Sequence, residues 1–398
     1  MQILIISYFF PPCSTGAGTV MYDLCKSLPE GSYDVITARK DFCVNIGAYD
    51  PNYVLHCKTT RLSVSTSSTF DRAKFFFLAI LNGLYLGKKD GLDCILTIYP
   101  YFCDLLAAYV LHKLTRRPLV IQMHDIFSET KKGLMSRIWR IAENHVFSQA
   151  AKILVMTQAV KDYYFERGIS NTAVFPTPIN LDDINETMAW KEPVQRPLKI
   201  VYTGSIYNVN ETATRVFLEA ARDAKDLKIV FAVPSIEHVS EPLRSYLKDV
   251  SVGFLTRKKC IELQRSADIL LLTGSQEKRV WYNSLCYPCK VSAYLLAGKP
   301  ILAIIPKGFI DDFIKKHQVG ITVTQFSREK VLCAIDELRR GEKRKFFSEN
   351  ALKTARLFDS RILGRQLSLL LSEIVVESRT SAKRDQSFLH ENRKNVTA

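Results

Sequence analysis

Short aliphatic runs alternate with stretches of helical spacing along almost the whole sequence, and this alternation restricts the fold more than any other feature. Runs that are apolar at every position suit strands buried on both faces, and a helix between successive strands demands a parallel sheet. The first series predicts strands at 3–7, 33–37, 94–98, 119–123, 153–156 and 172–175, with helices at 20–28, 105–114 and 135–148. A second series begins at 199–203 and continues at 228–232, 251–253, 269–273 and 300–305, with helices at 212–224, 258–266 and 291–297. Residues 176–197 separate the two and are rich in Pro, Asp and Asn without periodicity, as an interdomain linker is. The expected fold class is therefore α/β, with two Rossmann-like, doubly wound domains facing a central cleft. Domain limits follow at 1–180 and 198–354, with a helix over 355–377 crossing back and a basic, disordered tail over 378–398. The 398 residues divide comfortably into two cores of ordinary size.

Ten cysteines lie scattered through these elements without framework spacing, which fits buried thiols in a reducing compartment. Met1 leads directly into Ile3-Leu4-Ile5-Ile6, a first strand, so no signal peptide is expected and the location is cytoplasmic. The longest apolar stretch, Phe75 to Leu86, is shorter than the ~20 residues that span a bilayer. It reads as a core helix or, flanked by Lys74, Lys88 and Lys89, as a helix lying on a membrane surface. The net charge of +15 calls for an acidic partner. Basic residues are not interleaved with aromatics, so nucleic acid is not expected. An anionic membrane at the inner face of the cell is the better match, with Arg339-Arg340, Lys343-Arg344-Lys345 and the tail as its basic clusters.

Chemistry concentrates at strand ends. After the first strand comes Pro11-Pro12-Cys13-Ser14-Thr15-Gly16-Ala17-Gly18, where glycine lets amides approach a diphosphate and the next helix offers its positive end. A dinucleotide-binding turn would place a third glycine where Met21 stands and an acid where Arg39 follows the second strand. Leu119 to Met123 ends in His124-Asp125, a pair suited to ligand recognition or proton handling, or else an ordinary loop. The second series opens on Ile200-Val201-Tyr202-Thr203-Gly204-Ser205. Its most specific segment is Tyr287-Pro288-Cys289-Lys290-Val291-Ser292-Ala293-Tyr294-Leu295-Leu296-Ala297-Gly298-Lys299-Pro300. There a helix would aim amides and the Lys290 ammonium at a diphosphate.

In this order the pieces resemble glycosyltransferase family 4 of the GT-B fold over residues 1–376. The resemblance implies a retaining glycosyltransferase moving a sugar from a UDP- or GDP-sugar to a saccharide or lipid-linked acceptor in polysaccharide biosynthesis. It implies no obligatory metal, no cofactor and closure of the domains on the donor. His124 and Asp125 become the candidate catalytic pair. Gly16, Ala17, Gly18, Gly204, Ser205 and Lys290 become donor-binding candidates. The family's helix glutamate falls on Ala293, its partner on Leu285, and no arginine or lysine follows Gly204. Lys278, Arg279 and Lys290 are the expected substitutes for those cations, and Asn283 and Ser284 for the glutamate. These departures keep a catalytically weak sugar-nucleotide-binding partner open as the alternative, beside an epimerase or dehydrogenase of related fold. Cys286-Tyr287-Pro288-Cys289 lacks further ligands at zinc spacing and reads as plain thiols.

Overall fold

The computed structural model describes residues 1–396 apart from 46–47, 52, 54, 67, 90, 131–132, 182–196, 208, 225, 238 and 278–283, with backbone alone at 45, 223 and 382–396. The first half runs β1 (Ile3–Ile6), α1 (Gly16–Lys26), β2 (Tyr33–Ala38), α2 (Lys40–Asn45), β3 (Lys58–Leu62), α3 (Thr69–Lys89) and β4 (Cys94–Tyr99). It continues with α4 (Phe102–Thr115), β5 (Leu119–Met123), α5 (Phe127–Thr130), α6 (Gly133–Gln149), β6 (Lys152–Val155), α7 (Gln158–Glu166) and β7 (Thr172–Val174). Among the described residues these strands form one parallel sheet in the order β3-β2-β1-β4-β5-β6-β7. The strand order reverses between β1 and β4, which pair in register from Ile3–Cys94 to Ile6–Thr97. A reversal of this kind opens a crevice at the carboxyl ends of the strands.

The second half repeats the plan with β8 (Leu198–Thr203), α8 (Glu211–Asp223), β9 (Leu227–Ala232), α9 (Leu243–Lys248), α10 (Arg257–Arg265) and β10 (Ile269–Thr273). Then follow α11 (Cys289–Ala297), β11 (Ile301–Ile304), α12 (Phe309–His317), β12 (Gly320–Val323), α13 (Arg328–Leu338) and α14 (Gly341–Ala355). The sheet order is β12-β11-β10-β8-β9, again parallel, with its reversal between β8 and β10. The last helix, α15 (Ser360–Val396), returns to the first half. Leu363, Leu367 and Leu371 are buried in one core with Leu24, Cys25 and Leu28. Gly364 permits that crossing, because a Cβ there would stand 2.0 Å from the Ser27 carbonyl oxygen.

Four expectations change. β3 and β12 are edge strands that the sequence reading passed over; β3 is KTTRL, half-exposed and without an aliphatic run. Residues 251–253 form no strand, only a bridge between Phe231 and Ser251. The backbone of α15 stays helical to Val396, where disorder was expected from 378; no Gly or Pro after Gly364 interrupts it. The cluster at 339–345 is only in part a free basic surface: Arg340 and Lys345 are exposed, and the other three cations are engaged. Arg344 is buried and donates to the carbonyls of Leu338 (2.6 Å) and Arg339 (2.7 Å), Arg339 pairs with Asp336, and Lys343 pairs with Glu337. The carbonyls at the end of α13 attract those cations. All ten cysteines are free thiols.

Candidate active site

The two reversals face each other across one cavity of about 360 Å³. Its walls come from the start of α1, the end of β4, the His124-Asp125 loop, the turn after β8, the end of β10 and the start of α11. Gly16 and Lys290, 274 positions apart in sequence, line the same space. At α1, Thr15 caps the helix by accepting from the Gly18 amide at 3.2 Å. No atom lies within 4 Å of where a Gly16 Cβ would stand, so a ligand meets bare backbone beside the helix's positive end.

Lys290 enters from the first turn of α11. Its Nζ donates to the Tyr202 hydroxyl at 2.9 Å and lies 4.2 Å from that ring's centroid. Tyr202 is wholly buried, and its own hydroxyl donates to the Ser205 carbonyl at 2.7 Å. Asn210 donates to the same hydroxyl at 2.9 Å and accepts from the Tyr207 amide at 2.8 Å. The ammonium is therefore held against the glycine turn, and a Cβ on Gly204 would come within 3.4 Å of it. Gly204 has φ +108°, which also favours glycine. The Lys290 ammonium thus stands beside Gly204, where the sequence after the turn offers no cation. Among the described residues it is the only lysine or arginine lining the cavity.

On the opposite wall His124 ends β5. Burial pushes its imidazole down to about 4, so the ring is neutral near pH 7, and Nε2 has no protein partner among the described residues. A neutral ring at the cavity wall can exchange a hydrogen bond with a hydroxyl. Asp125 also lines the cavity, and the closeness of the walls raises its carboxyl above the usual range. The loop is held from below by buried Glu143. That carboxylate accepts from Tyr99 (2.6 Å), Tyr164 (2.7 Å), Arg167 (3.2 Å) and both the amide and hydroxyl of Ser128 (3.2 Å each).

The other candidates separate. Ala17 and Ser284 line the cavity with the residues above. Gly18 does not; a Cβ there would stand 1.9 Å from the Cys13 carbonyl oxygen, so that glycine serves chain packing rather than a ligand. Ser205 is exposed and outside the cavity lining, contributing its carbonyl to the Tyr202–Asn210 network instead. Lys278, Arg279 and Asn283 lie outside the described residues. Ala293 faces a second cavity of about 170 Å³ with Gln264 and Arg257. The two cavities adjoin, sharing Val20 and Cys289. Ser284 therefore does not stand where a carboxylate at 293 would. Burial raises the thiols of Cys286 and Cys289, so neither is a ready thiolate.

Sequence reading missed Arg257. Its backbone amide donates to Asp50 (2.7 Å), and its guanidinium to Asp23 (2.9 Å) and Tyr53 (3.1 Å), all in the first half of the chain. The guanidinium also lies 5.4 Å from the centroids of the stacked Tyr22 and Tyr53 rings. A signal was present: Arg257-Lys258-Lys259 open a helix, where cations oppose the dipole and imply anions from elsewhere. Nearby, the Thr157 hydroxyl donates to the Leu285 carbonyl at 2.7 Å and joins the halves a second time.

Comparison with known proteins bears on the fold. The Glycosyltransferase Family 4 model matches residues 14–183. No curated protein matches the sequence. The structure resembles sucrose-phosphate synthase from Thermosynechococcus elongatus at 16% identity and TM-score 0.71, covering 95% of this chain and all of the other. It resembles Anabaena HepE in complex with UDP-glucose at 15% identity and TM-score 0.68, covering 94% and 100%. A putative UDP-N-acetylglucosamine 2-epimerase from Listeria monocytogenes is also similar, at 12% identity and TM-score 0.59, covering 92% and 94%.

Proposed function

We propose that the chain transfers a sugar from a UDP-sugar to a hydroxyl acceptor, with retention of configuration; the match of the Glycosyltransferase Family 4 model to residues 14–183 and the GT-B-like frame support this reading. The carrying observation is the convergence of Gly16, His124 and Lys290 on one cavity between two facing strand reversals. Breaking a bond to an anomeric carbon leaves negative charge on a diphosphate and positive charge on the sugar. Stabilising the leaving group is therefore the main electrostatic task. The first amides of α1 and α11, with the Lys290 ammonium, present fixed positive potential from both halves. Neutral His124 contacts a hydroxyl of the donor sugar, and Asp125 at the rim orients the acceptor. Neither a metal nor a cofactor is required for these roles.

UDP is favoured over GDP by the UDP-glucose bound to the similar HepE. The acceptor is a saccharide, lipid-linked at a membrane face, as in polysaccharide assembly; the motivation is the charge of +15. An epimerase shares this architecture, so the decisive assay follows the sugar rather than the nucleotide. A panel of nucleotide sugars is screened by thermal shift, since a native-state ligand raises the melting temperature. The strongest is then incubated with and without saccharide acceptors, and products are identified by mass and anomeric NMR. Acceptor-dependent transfer is expected. Acceptor-independent conversion to an epimer would replace the reading, and binding without turnover would favour the inactive sugar-nucleotide-binding partner.

A further inference from the structure

The mechanism above leaves the outer surface of the first half unused, and that surface is unusual. Helices α3, α4 and α6 cover one face of the sheet, and their inward residues share one core. α4 lies in the middle. Gly83 of α3 packs so closely on Leu111 that a Cβ would fall 2.5 Å from its methyl carbon, while Tyr109 bonds His145 of α6 at 2.9 Å. Facing outward on α3 are Phe77, Leu81 and Tyr85, exposed by 63%, 63% and 62%. On α6 they are matched by Leu134, Ile138 and Ile141, of which Leu134 and Ile141 are each 71% exposed. At about 100° per residue, 77, 81 and 85 form one stripe of α3, and 134, 138 and 141 form one stripe of α6.

The same stripe of α3 carries Lys88, eleven residues after Phe77, with exposed Lys89 beside it. Exposed Lys113 on α4 and Arg137 on α6 add charge of the same sign. The acids of α4 and α6, Asp104 and Glu143, are buried; Glu129 accepts from Arg140 at 2.7 Å, and Asp71 at the start of α3 accepts from the Thr66 amide at 2.8 Å. Paired apolar ridges fringed by cations fit a surface that is apolar beneath and anionic above. We propose that the α3–α4–α6 face seats on a bilayer containing anionic phospholipid, the ridges entering the interface and the cations meeting phosphate headgroups. No helix among the described residues is long and apolar enough to cross a membrane, which matches a seat rather than a span. Phe102 opens α4 directly after Tyr101 of the cavity wall, and α6 follows the His124-Asp125 loop, so seating sets the cleft beside the lipid surface. The membrane-bound acceptor rests on the transferase reading, but the seat itself does not.

Flotation with vesicles tests it. The full chain is expected to float with vesicles of phosphatidylglycerol and phosphatidylcholine, and weakly with phosphatidylcholine alone. Lys88→Gln and Lys89→Gln should each weaken binding about fivefold at low salt. Leu81→Glu with Ile141→Glu should abolish it while leaving the melting temperature and its nucleotide-sugar shift unchanged, because both positions lie outside the cavities. Undiminished flotation of that double variant would overturn the seat. So would a wild-type dimer in light scattering that the variant makes monomeric, with no vesicle binding by either. Vesicle binding without any nucleotide-sugar shift would defeat the transferase reading alone, and the reverse result the seat alone.

Discussion

Replacing Arg257 with Met keeps the apolar stem and removes the guanidinium that joins the two halves. Three things go: the ion pair to Asp23, the bond to Tyr53 and the contact with two tyrosine rings. The bond from the Arg257 amide to Asp50 survives, because it belongs to the backbone. The side chains of Arg257 and Asp23 are 23% and 10% exposed, so the pair is partly desolvated rather than fully buried. A hydrogen bond to a charged group contributes about 1.5–3 kcal/mol, and water at this rim argues for the lower half, about 1.5–2 kcal/mol. The arrangement of the two halves described above should then lose about 10–30-fold against one in which this contact is broken. Small-angle scattering should show a larger radius of gyration for the variant. Nucleotide-sugar affinity should fall in proportion to the lost fraction of that arrangement, because its cavity is lined from both halves. Asp23→Asn should give much of the same loss, and the double variant little more, since both remove one interaction. Unchanged scattering and affinity in Arg257→Met would refute the clamp.

Two predictions concern pH. Burial lowers His124 to about 4 from its ordinary 6.5, so on acidification the unfolded chain takes the proton first and the native state loses about 1.4 kcal/mol by pH 5.5. His124→Gln should therefore lose less melting temperature than wild type between pH 7.5 and 5.5; an equal loss would contradict it. Asp104 acts with the opposite sign. Burial raises its carboxyl to about 7 although the Tyr8 amide donates to it at 2.8 Å, so the native state loses stability as pH rises toward and through that value. Asp104→Asn, which still accepts from Tyr8, should raise the melting temperature at pH 8, by roughly 2–4 °C for each kcal/mol relieved, and by less at pH 5, where only part of the penalty has set in. A lower temperature at pH 8 would count against it.

Much of the frame was legible because both sheets are parallel and sandwiched, so central strands such as Ile3–Ile6 and Ile269–Thr273 are almost wholly aliphatic. Edge strands escaped because burial does not impose that pattern on them; β3 presents Lys58, Thr59, Thr60 and Arg61 before one buried leucine. At the site, backbone-led features were readable: a glycine beside a helix start, a lysine in the first helical turn, a histidine at a strand end. What sequence could not show was destination. Lys290 and Tyr202 lie 88 positions apart, yet their hydrogen bond decides where the ammonium sits. Gly18 and Gly16 look alike in sequence, but only one faces open space. Arg257 binds residues more than 200 positions away. Tertiary pairing assigns such roles, and periodicity carries no information about it.

Lys290 offers the most direct test of a pyrophosphate gripped from both halves. Isothermal titration should compare wild type with Lys290→Met, using the nucleoside diphosphate that shifts the melting temperature most and the same nucleoside without phosphate. Loss of one charged hydrogen-bond donor predicts a roughly 10–150-fold weaker dissociation constant for the diphosphate. The bare nucleoside should bind both proteins equally. Equal diphosphate affinity in the two proteins, or an equal loss for the bare nucleoside, would contradict the assignment of that lysine to the leaving group.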